Sequence, residues 1–107
     1  NPLDEELLKK AMAIVEKNMD NVEFSTNDFA REMCMSRSNL HIKMKALTGE
    51  STNDFIRKMR FNQACKLLQE GRHTVSEISG MVGFNTPSYF ATSFKKYFGC
   101  LPSEYGK

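Results

Sequence analysis

The sequence has little of what stabilises small secreted or metal-bound domains. Its three cysteines, Cys34, Cys65 and Cys100, are far apart and form no CxxC pair. We therefore expect reduced thiols in a cytoplasmic protein rather than a disulfide framework. His41 and His73 have no ligand partner at zinc-finger spacing, so we expect no metal site.

Long apolar runs and catalytic motifs are missing as well. No run approaches the roughly 20 apolar residues that span a bilayer, and no signal-peptide segment follows the N-terminus. We expect no membrane contact by this chain. An anchor in the inner membrane would belong to a longer parent protein. Because the chain begins with Asn1 rather than Met, we do expect such a parent. None of the motifs GxSxG, HExxH, GxGxxG or the P-loop occurs, so we expect neither an enzyme nor a bound cofactor.

Acidic residues are scarce in the second two thirds of the chain. Residues 1–35 hold four basic and eight acidic residues, a net charge of −4, whereas residues 36–107 hold eleven basic and five acidic residues, a net charge of +6. This asymmetry indicates that one region faces a polyanion and the other does not. An unevenly charged solvated surface is the alternative interpretation.

Hydrophobic spacing predicts a chain made of helices. Apolar residues recur at i, i+3 or i+4 and i+7, and no strand-like alternation persists. Serine and threonine N-caps and glycine ends set most of the boundaries, and Pro87 falls at a first helical position, which proline favours. We predict helices over 4–18, from Thr26, from Ser36 to Gly49, over 52–70, from Thr74 to Gly83 and from Thr86 to Gly99, then a short turn or helix at Pro102.

Two segments repeat one pattern at an offset of 50 residues. They are SRSNLHIKMKALTG (36–49) and TPSYFATSFKKYFG (86–99), which align without gaps. Each is preceded by a predicted short helix, so each unit reads as short helix, tight turn, cap and second helix. That order is the layout of a helix-turn-helix.

The second helix of each unit has a face without acidic side chains, opposite its apolar stripe. At about 100° per residue, this face carries Ser38, His41, Ile42 and Lys45 in the first unit and Ser88, Ala91, Thr92 and Lys95 in the second. Small hydroxyls and a lysine suit a helix in the major groove of DNA, where acids would repel phosphates. An ordinary solvated helix face is the alternative. We expect Lys45 and Lys95 to contact phosphates.

The predicted helix over 52–70 offers a geometric check. At 1.5 Å per residue it would span about 27 Å, on the order of one DNA turn of about 34 Å. We therefore predict a first helix-turn-helix subdomain over 1–50, a linker helix over 51–70 and a second subdomain over 71–107. Four basic residues of the linker helix are expected on a solvated face, with phosphate contact as the alternative: Arg57, Lys58, Arg60 and Lys66.

At this point the residues resemble a known family. ISGMVGFNTPSYFATSFKKYFGCLPSEY (78–105) is similar to the second-motif signature of the AraC/XylS family of bacterial transcription regulators. MSRSNLHIKMKALTGESTNDFIRKMRFNQACKLL (35–68) is similar to its first motif and linker helix. NPLDEELLKKAMAIVEKNMDN, at the N-terminus, resembles the lead-in to the output domain of hybrid two-component regulators.

The resemblance implies an all-α fold of seven helices, in which two helix-turn-helix subdomains joined by a long linker helix each insert a recognition helix into the major groove. The base-facing positions it implies are Ser38, His41 and Ile42 in the first subdomain, and Pro87, Ser88, Tyr89, Ala91 and Thr92 in the second. Arg37 and Asn39 lie in the first turn of their helix, within reach of a phosphate or a base. Ile42 stands where many relatives have Arg, which favours contact with a thymine methyl group or weaker discrimination by the first motif.

The function implied is a sequence-specific DNA-binding transcription regulator in the cytoplasm, as the activator output domain of a two-component system. Its expected partners are double-stranded promoter DNA, RNA polymerase and the receiver or sensor domains of a parent chain, which would also be the route to a homodimer. The alternative is a helical protein-interaction module that has lost DNA binding, with the acidic first helix as its docking surface.

Overall fold

The computed structural model describes residues 1–105, and these residues form six α-helices, one 3₁₀ turn and no strand. The all-α fold is therefore confirmed. The elements are α1 (Pro2–Lys17), α2 (Thr26–Glu32), α3 (Arg37–Thr48), α4 (Thr52–Glu70), α5 (Val75–Met81), α6 (Pro87–Phe98) and the 3₁₀ turn (Pro102–Glu104).

The number of helices needs a small correction. Seven were expected, but the last element is a single 3₁₀ turn of three residues. Tyr105 is already extended, with φ −71° and ψ 133°, so the chain leaves the helical conformation after one turn. The last two residues of the predicted second subdomain, 106–107, lie outside the described residues.

Serine and threonine side chains start the helices of both repeats, as predicted. The hydroxyls of Ser36 and Thr86 accept the backbone N–H of Asn39 and Tyr89, each at 3.1 Å. The short helices before them, α2 and α5, begin with capping boxes, Ser25 with Asp28 and Thr74 with Glu77. In α2 the cap is therefore Ser25, one residue before Thr26, which was the expected cap. Each cap satisfies N–H groups that have no acceptor inside the helix.

One compact unit, unit 1, comprises Asn1–Asn18 and Glu23–Met59. Its core is apolar and is built from α1, α2, α3 and the first part of α4. Phe29 and Leu40 are fully buried, and the rings of Phe29 and Phe55 stack with centroids 6.2 Å apart. This packing leaves the opposite side of α3 uncovered.

The other compact unit, unit 2, comprises Met19–Val22 and the chain from Arg60 onward. Its core is aromatic. The fully buried ring of Phe61 lies 5.5 Å from that of Phe84 and 6.0 Å from that of Phe94, centroid to centroid. Phe90 is also fully buried. The two halves of α4 belong to different units. The division into 1–50, 51–70 and 71–107 stays a prediction.

Candidate nucleic-acid interface

In unit 1, α3 is anchored by one face and presents the other to solvent. Leu40 and Met44 are fully buried against the core. The opposite face carries the predicted reading residues, and all of them are exposed: Ser38, His41, Ile42 and Lys45. Ile42 is 64% exposed, and an apolar side chain held so openly on a polar face has no packing role in unit 1.

In unit 2, α6 is oriented by the same arrangement. Phe90 and Phe94 are fully buried, and Pro87 opens the helix at its first position, directly after the Thr86 cap. Four predicted residues on the opposite side are exposed: Pro87, Ser88, Thr92 and Lys95. Tyr89 is 57% exposed, although its ring lies 5.6 Å from that of Phe84, so it partly covers the core while more than half of its surface stays in solvent.

Twelve residues were predicted to contact DNA, and the structure divides them between two helices. Arg37, Asn39 and the four residues of the acid-free face of α3 lie in unit 1, and the other six lie on α6 in unit 2. Eleven are exposed, and Ala91 is half-buried. A methyl group in that position offers little area to a base.

The charges of α3 and α6 favour the binding of anions. Neither α3 nor α6 contains any Asp or Glu, and α3 carries Arg37, Lys43 and Lys45. Most helices place acids in the first turn to complement the helix dipole, as α1 does with Asp4 and Glu5. The first turns of α3 and α6 leave that partial positive charge uncompensated.

The cations of these helices differ in how far they are already engaged. Lys43 lies 3.9 Å from Asp4 of α1. Arg37 donates to the amide oxygen of Asn27 at 3.3 Å, a neutral partner that leaves its charge uncompensated. Within residues 1–105, no carboxylate forms an ion pair with Arg37, Lys45 or Lys95. These three cations and Lys96 of α6, which likewise has no carboxylate ion pair within residues 1–105, are therefore open to phosphate.

Arg60 is not on the solvated face of α4 that the sequence predicted. It is 8% exposed and donates hydrogen bonds to three backbone carbonyls, those of Asn21 at 3.0 Å, of Val82 at 3.3 Å and of Gly83. Burial lowers the pKa of its guanidinium. The spacing that could have identified it is Ile56, Arg60 and Ala64, which recur every four residues on one buried stripe.

The turn before α6 is shaped by this arginine. Gly83 has a φ of +82°, and a Cβ at this position would overlap the Arg60 guanidinium and lie 2.6 Å from the carbonyl oxygen of Met19. In the first repeat, the residue two before the Ser36 cap, Cys34, also has a positive φ of 60°. In both turns the chain thus reverses direction through a left-handed residue. In the second turn, hydrogen bonds from Arg60 to the carbonyls of Val82 and Gly83 also stabilise the backbone.

Other kinds of site find no support in the part of the chain that the structure describes. Among residues 1–105 there is no cluster of three or more metal-ligating side chains. None of the helices in this range is both long enough and apolar enough to cross a membrane.

Comparison with known proteins agrees with this geometry. The family model described as a helix-turn-helix domain matches residues 29–107. Histidine kinase P4 from Formosa agariphila is 44% identical over 103 residues, which cover 96% of this chain and 8% of that protein. The chain spans between 8% and 29% of the length of the first curated relatives it matches.

Solved structures give the same assignment. The C-terminal domain of the two-component response regulator yesN from Fusobacterium nucleatum is 26% identical, and the match covers 100% of both chains with a TM-score of 0.84. The DNA-binding domain of AdpA, solved in complex with a target DNA, is 25% identical, with 92% of this chain and 88% of that chain covered and a TM-score of 0.83. The family to which these matches point comprises DNA-binding transcription regulators and is not an enzyme family. The chain therefore belongs to the AraC-type family of helix-turn-helix DNA-binding domains.

Proposed function

We propose that this chain is the DNA-reading output domain of a two-component regulator, and that it binds promoter DNA sequence-specifically and activates transcription. The observation that carries the proposal is the pair of exposed, acid-free helix faces, one in each repeat. A helix face that contacts only solvent tolerates acidic side chains, so their absence from both faces would be unexpected there. On a face that enters the major groove, acidic side chains would repel the DNA phosphates.

In the first motif, α3 would supply both base and backbone contacts. Ser38 and His41 can exchange hydrogen bonds with base edges, and the exposed Ile42 offers an apolar surface to a thymine methyl group. Arg37, Asn39 and Lys45 would bind phosphates or an adjacent base and so position the helix.

In the second motif, α6 would read through small side chains. Ser88 and Thr92 can bond to base edges, while Pro87 and Ala91 permit close approach of the helix to the bases. Tyr89 would contact the backbone or a base, and Lys95 would bind a phosphate. Little of this face is charged, so specificity here would depend on shape as much as on hydrogen bonds.

The two-component assignment rests on the relatives. One is named a histidine kinase and another is the C-terminal domain of a two-component response regulator. In a parent chain of that kind, receiver or sensor domains would control this domain in the cytoplasm and could bring two copies together as a homodimer. DNA-bound copies would then recruit RNA polymerase.

Selection from random duplex DNA with the purified chain tests the proposal. We expect a bipartite motif with half-sites about one helical turn apart. We also expect fluorescence-anisotropy affinities that fall steeply with salt and exceed those for a scrambled duplex. No enrichment and no salt-dependent binding would contradict the proposal and favour a protein-interaction module. Enrichment of one half-site alone would restrict base reading to one motif.

A further inference from the structure

The turns of the two helix-turn-helix repeats are closed by the same backbone hydrogen bonds. In each turn, the left-handed residue and the residue after it donate their N–H groups to carbonyls three and five residues earlier, which is the Schellman motif. The donor and acceptor pairs are Cys34 to Arg31 and Met35 to Ala30 in the first turn, and Gly83 to Gly80 and Phe84 to Ser79 in the second. The short helices α2 and α5 therefore end in the same way.

The second turn is nevertheless one residue longer than the first. In the first repeat, the Ser36 cap of α3 follows directly after the Schellman motif. In the second repeat, Asn85 stands between the motif and the Thr86 cap of α6, and its side chain is exposed. Because each residue adds two soft backbone dihedrals, the chain alone sets the direction of α6 less tightly than that of α3.

The side chain of Arg60 reaches this longer turn from α4. Its guanidinium donates to the carbonyl of Val82 at 3.3 Å and to that of Gly83, whereas the Schellman bonds use carbonyls earlier in the turn. Basic side chains commonly bond to the last carbonyls of a helix. The last turn of α2 carries its own basic residue, Arg31, but the last turn of α5 carries none. Arg60 supplies that cation from another helix.

A third hydrogen bond joins the turn to the segment after α1. Arg60 also donates to the carbonyl of Asn21 at 3.0 Å, and Asn21 and the turn both belong to unit 2. The planar guanidinium offers its N–H donors in fixed directions. It therefore holds α4, residues 19–22 and the turn before α6 together at one point.

Burying Arg60 is an expensive way to stabilise a core. The side chain is 8% exposed, and its Nε has no hydrogen-bond partner among residues 1–105. Burial of a charged group costs free energy, and an apolar side chain between Ile56 and Ala64 on the buried stripe of α4 would avoid that cost. An apolar side chain could not hold the carbonyls of the turn in fixed positions.

We propose that Arg60 is a positioning residue for the second reading helix. By holding the carbonyls of Val82 and Gly83, it fixes the direction of α6 and thereby the bases that Ser88 and Thr92 reach. Arg60 itself is buried and acts through the turn. The proposal rests on the proposed function, because it concerns how one half-site is read.

Loss of Arg60 should affect base discrimination more than general affinity. Ser88 and Thr92 have short side chains, and hydrogen bonds weaken steeply when their distances and angles change. Lys95 has a long flexible side chain and can follow a phosphate through a small rotation of α6. The three carbonyls that Arg60 holds all lie in unit 2, so reading by α3 should not change.

The test compares the base preferences of variants with those of the wild-type chain, well below the melting temperature of each. Selection from random duplexes measures discrimination at each half-site, and Ser38→Ala and Thr92→Val assign the half-sites to α3 and α6. Arg60→Met removes the guanidinium and keeps a long unbranched side chain. Arg60→Lys keeps the charge without the planar fork and decides the test if the methionine variant does not fold.

The matched control is Leu67→Ala. Leu67 is buried in the core of unit 2, and its side chain makes no hydrogen bond to the turn. Its truncation lowers stability without removing a restraint on α6. Melting curves compare the stability lost by this variant with that lost by the two Arg60 variants.

We expect Arg60→Met to lower discrimination at the half-site of α6 about tenfold and to leave the half-site of α3 unchanged. Affinity for a scrambled duplex and the slope of log K against log salt should match the wild type, because no phosphate contact is lost. Arg60→Lys should lose less discrimination than Arg60→Met, since an ammonium can still bond to a carbonyl. Leu67→Ala should melt at a lower temperature and keep full discrimination.

Several results would overturn this role while leaving the proposed function intact. They are wild-type discrimination in the deciding Arg60 variant, equal losses at both half-sites, and an equal loss in Leu67→Ala. Failure of both Arg60 variants to fold would make Arg60 a stability residue, and a wild-type chain that reads only through α3 would leave α6 nothing to position. A wild-type chain that selects no sequence would instead reject the proposed function and this inference together.

Discussion

At the scale of single residues, Gly83 and Arg60 show how a glycine and a buried charge can depend on each other. Gly83→Ala should lower the free energy of unfolding by at least about 2 kcal/mol. A non-glycine residue at positive φ costs about 1–2 kcal/mol, and the added methyl group would also displace the Arg60 guanidinium from its three carbonyls. Urea denaturation measures this change.

The matched control is Gly80→Ala, inside α5, where an added Cβ meets no atom within 4 Å. Alanine is the better helix former, so this variant should be as stable as the wild type or up to about 1 kcal/mol more stable. Equal effects of the two substitutions would contradict the interpretation of the Arg60–Gly83 contact.

His41 is the residue whose replacement separates base reading from general affinity. His41→Ala should reduce binding to the selected duplex more than binding to a scrambled one, because the exposed imidazole faces away from the core on the reading side of α3. Anisotropy titrations of both duplexes measure the ratio. His73→Ala, in an exposed turn outside the helices, should leave it unchanged, and an unchanged ratio for His41→Ala would remove His41 from the reading face.

At the scale of elements, the short helices α2 and α5 depend on ionised caps. The backbone N–H of Ser25 holds the pKa of Asp28 below its usual value, and the backbone N–H of Thr74 does the same for the pKa of Glu77. A carboxyl whose pKa is lower in the folded state stabilises the fold fully above its unfolded pKa, near 4. That stabilisation disappears as the pH falls through the folded pKa.

We therefore expect the stability lost between about pH 5 and pH 3 to be smaller in Asp28→Asn and Glu77→Gln than in the wild type. Amide side chains can still accept the capping hydrogen bond but do not titrate. Urea denaturation at a series of pH values gives the comparison. Glu6→Gln, exposed on α1, is the control and should follow the wild type; parallel curves for all four chains would contradict the role of the caps.

Elements were also where prediction from sequence was most accurate. The starts of α3 and α6 depend on a hydroxyl and a backbone N–H three residues apart, and such local chemistry is visible in the sequence. The number of helices was overestimated because the last element is a single 3₁₀ turn. Where this turn ends depends on the backbone conformation of Tyr105, which is extended. Arg60 was misplaced because a basic residue is usually solvated, and its carbonyl partners, Asn21 and Val82–Gly83, lie far from it in sequence.

At the scale of the whole molecule, charge is divided between an acidic N-terminal segment and two acid-free reading helices. Lys95→Ala should weaken binding to every duplex by a similar factor and reduce the slope of log K against log salt by about 0.9, because one phosphate contact is lost. Lys9→Ala, on α1 outside both reading faces, should leave the slope unchanged. Equal slopes for Lys95→Ala and the wild type would count against a phosphate contact by Lys95.

The sequence by itself determined the helical class, the repeat at an offset of 50 residues and the acid-free faces, because periodicity, caps and charge are properties of neighbouring residues. Only the tertiary structure decided that Arg60 is buried under the turn at Gly83 and that the hydroxyl of Thr52 is buried without a hydrogen-bond partner. These features join atoms from separate helices and turns. The burial of these side chains and the hydrogen bonds of Arg60 exist only once the chain has folded around them. The spacing along α4 places Arg60 on a buried stripe but does not give its carbonyl partners.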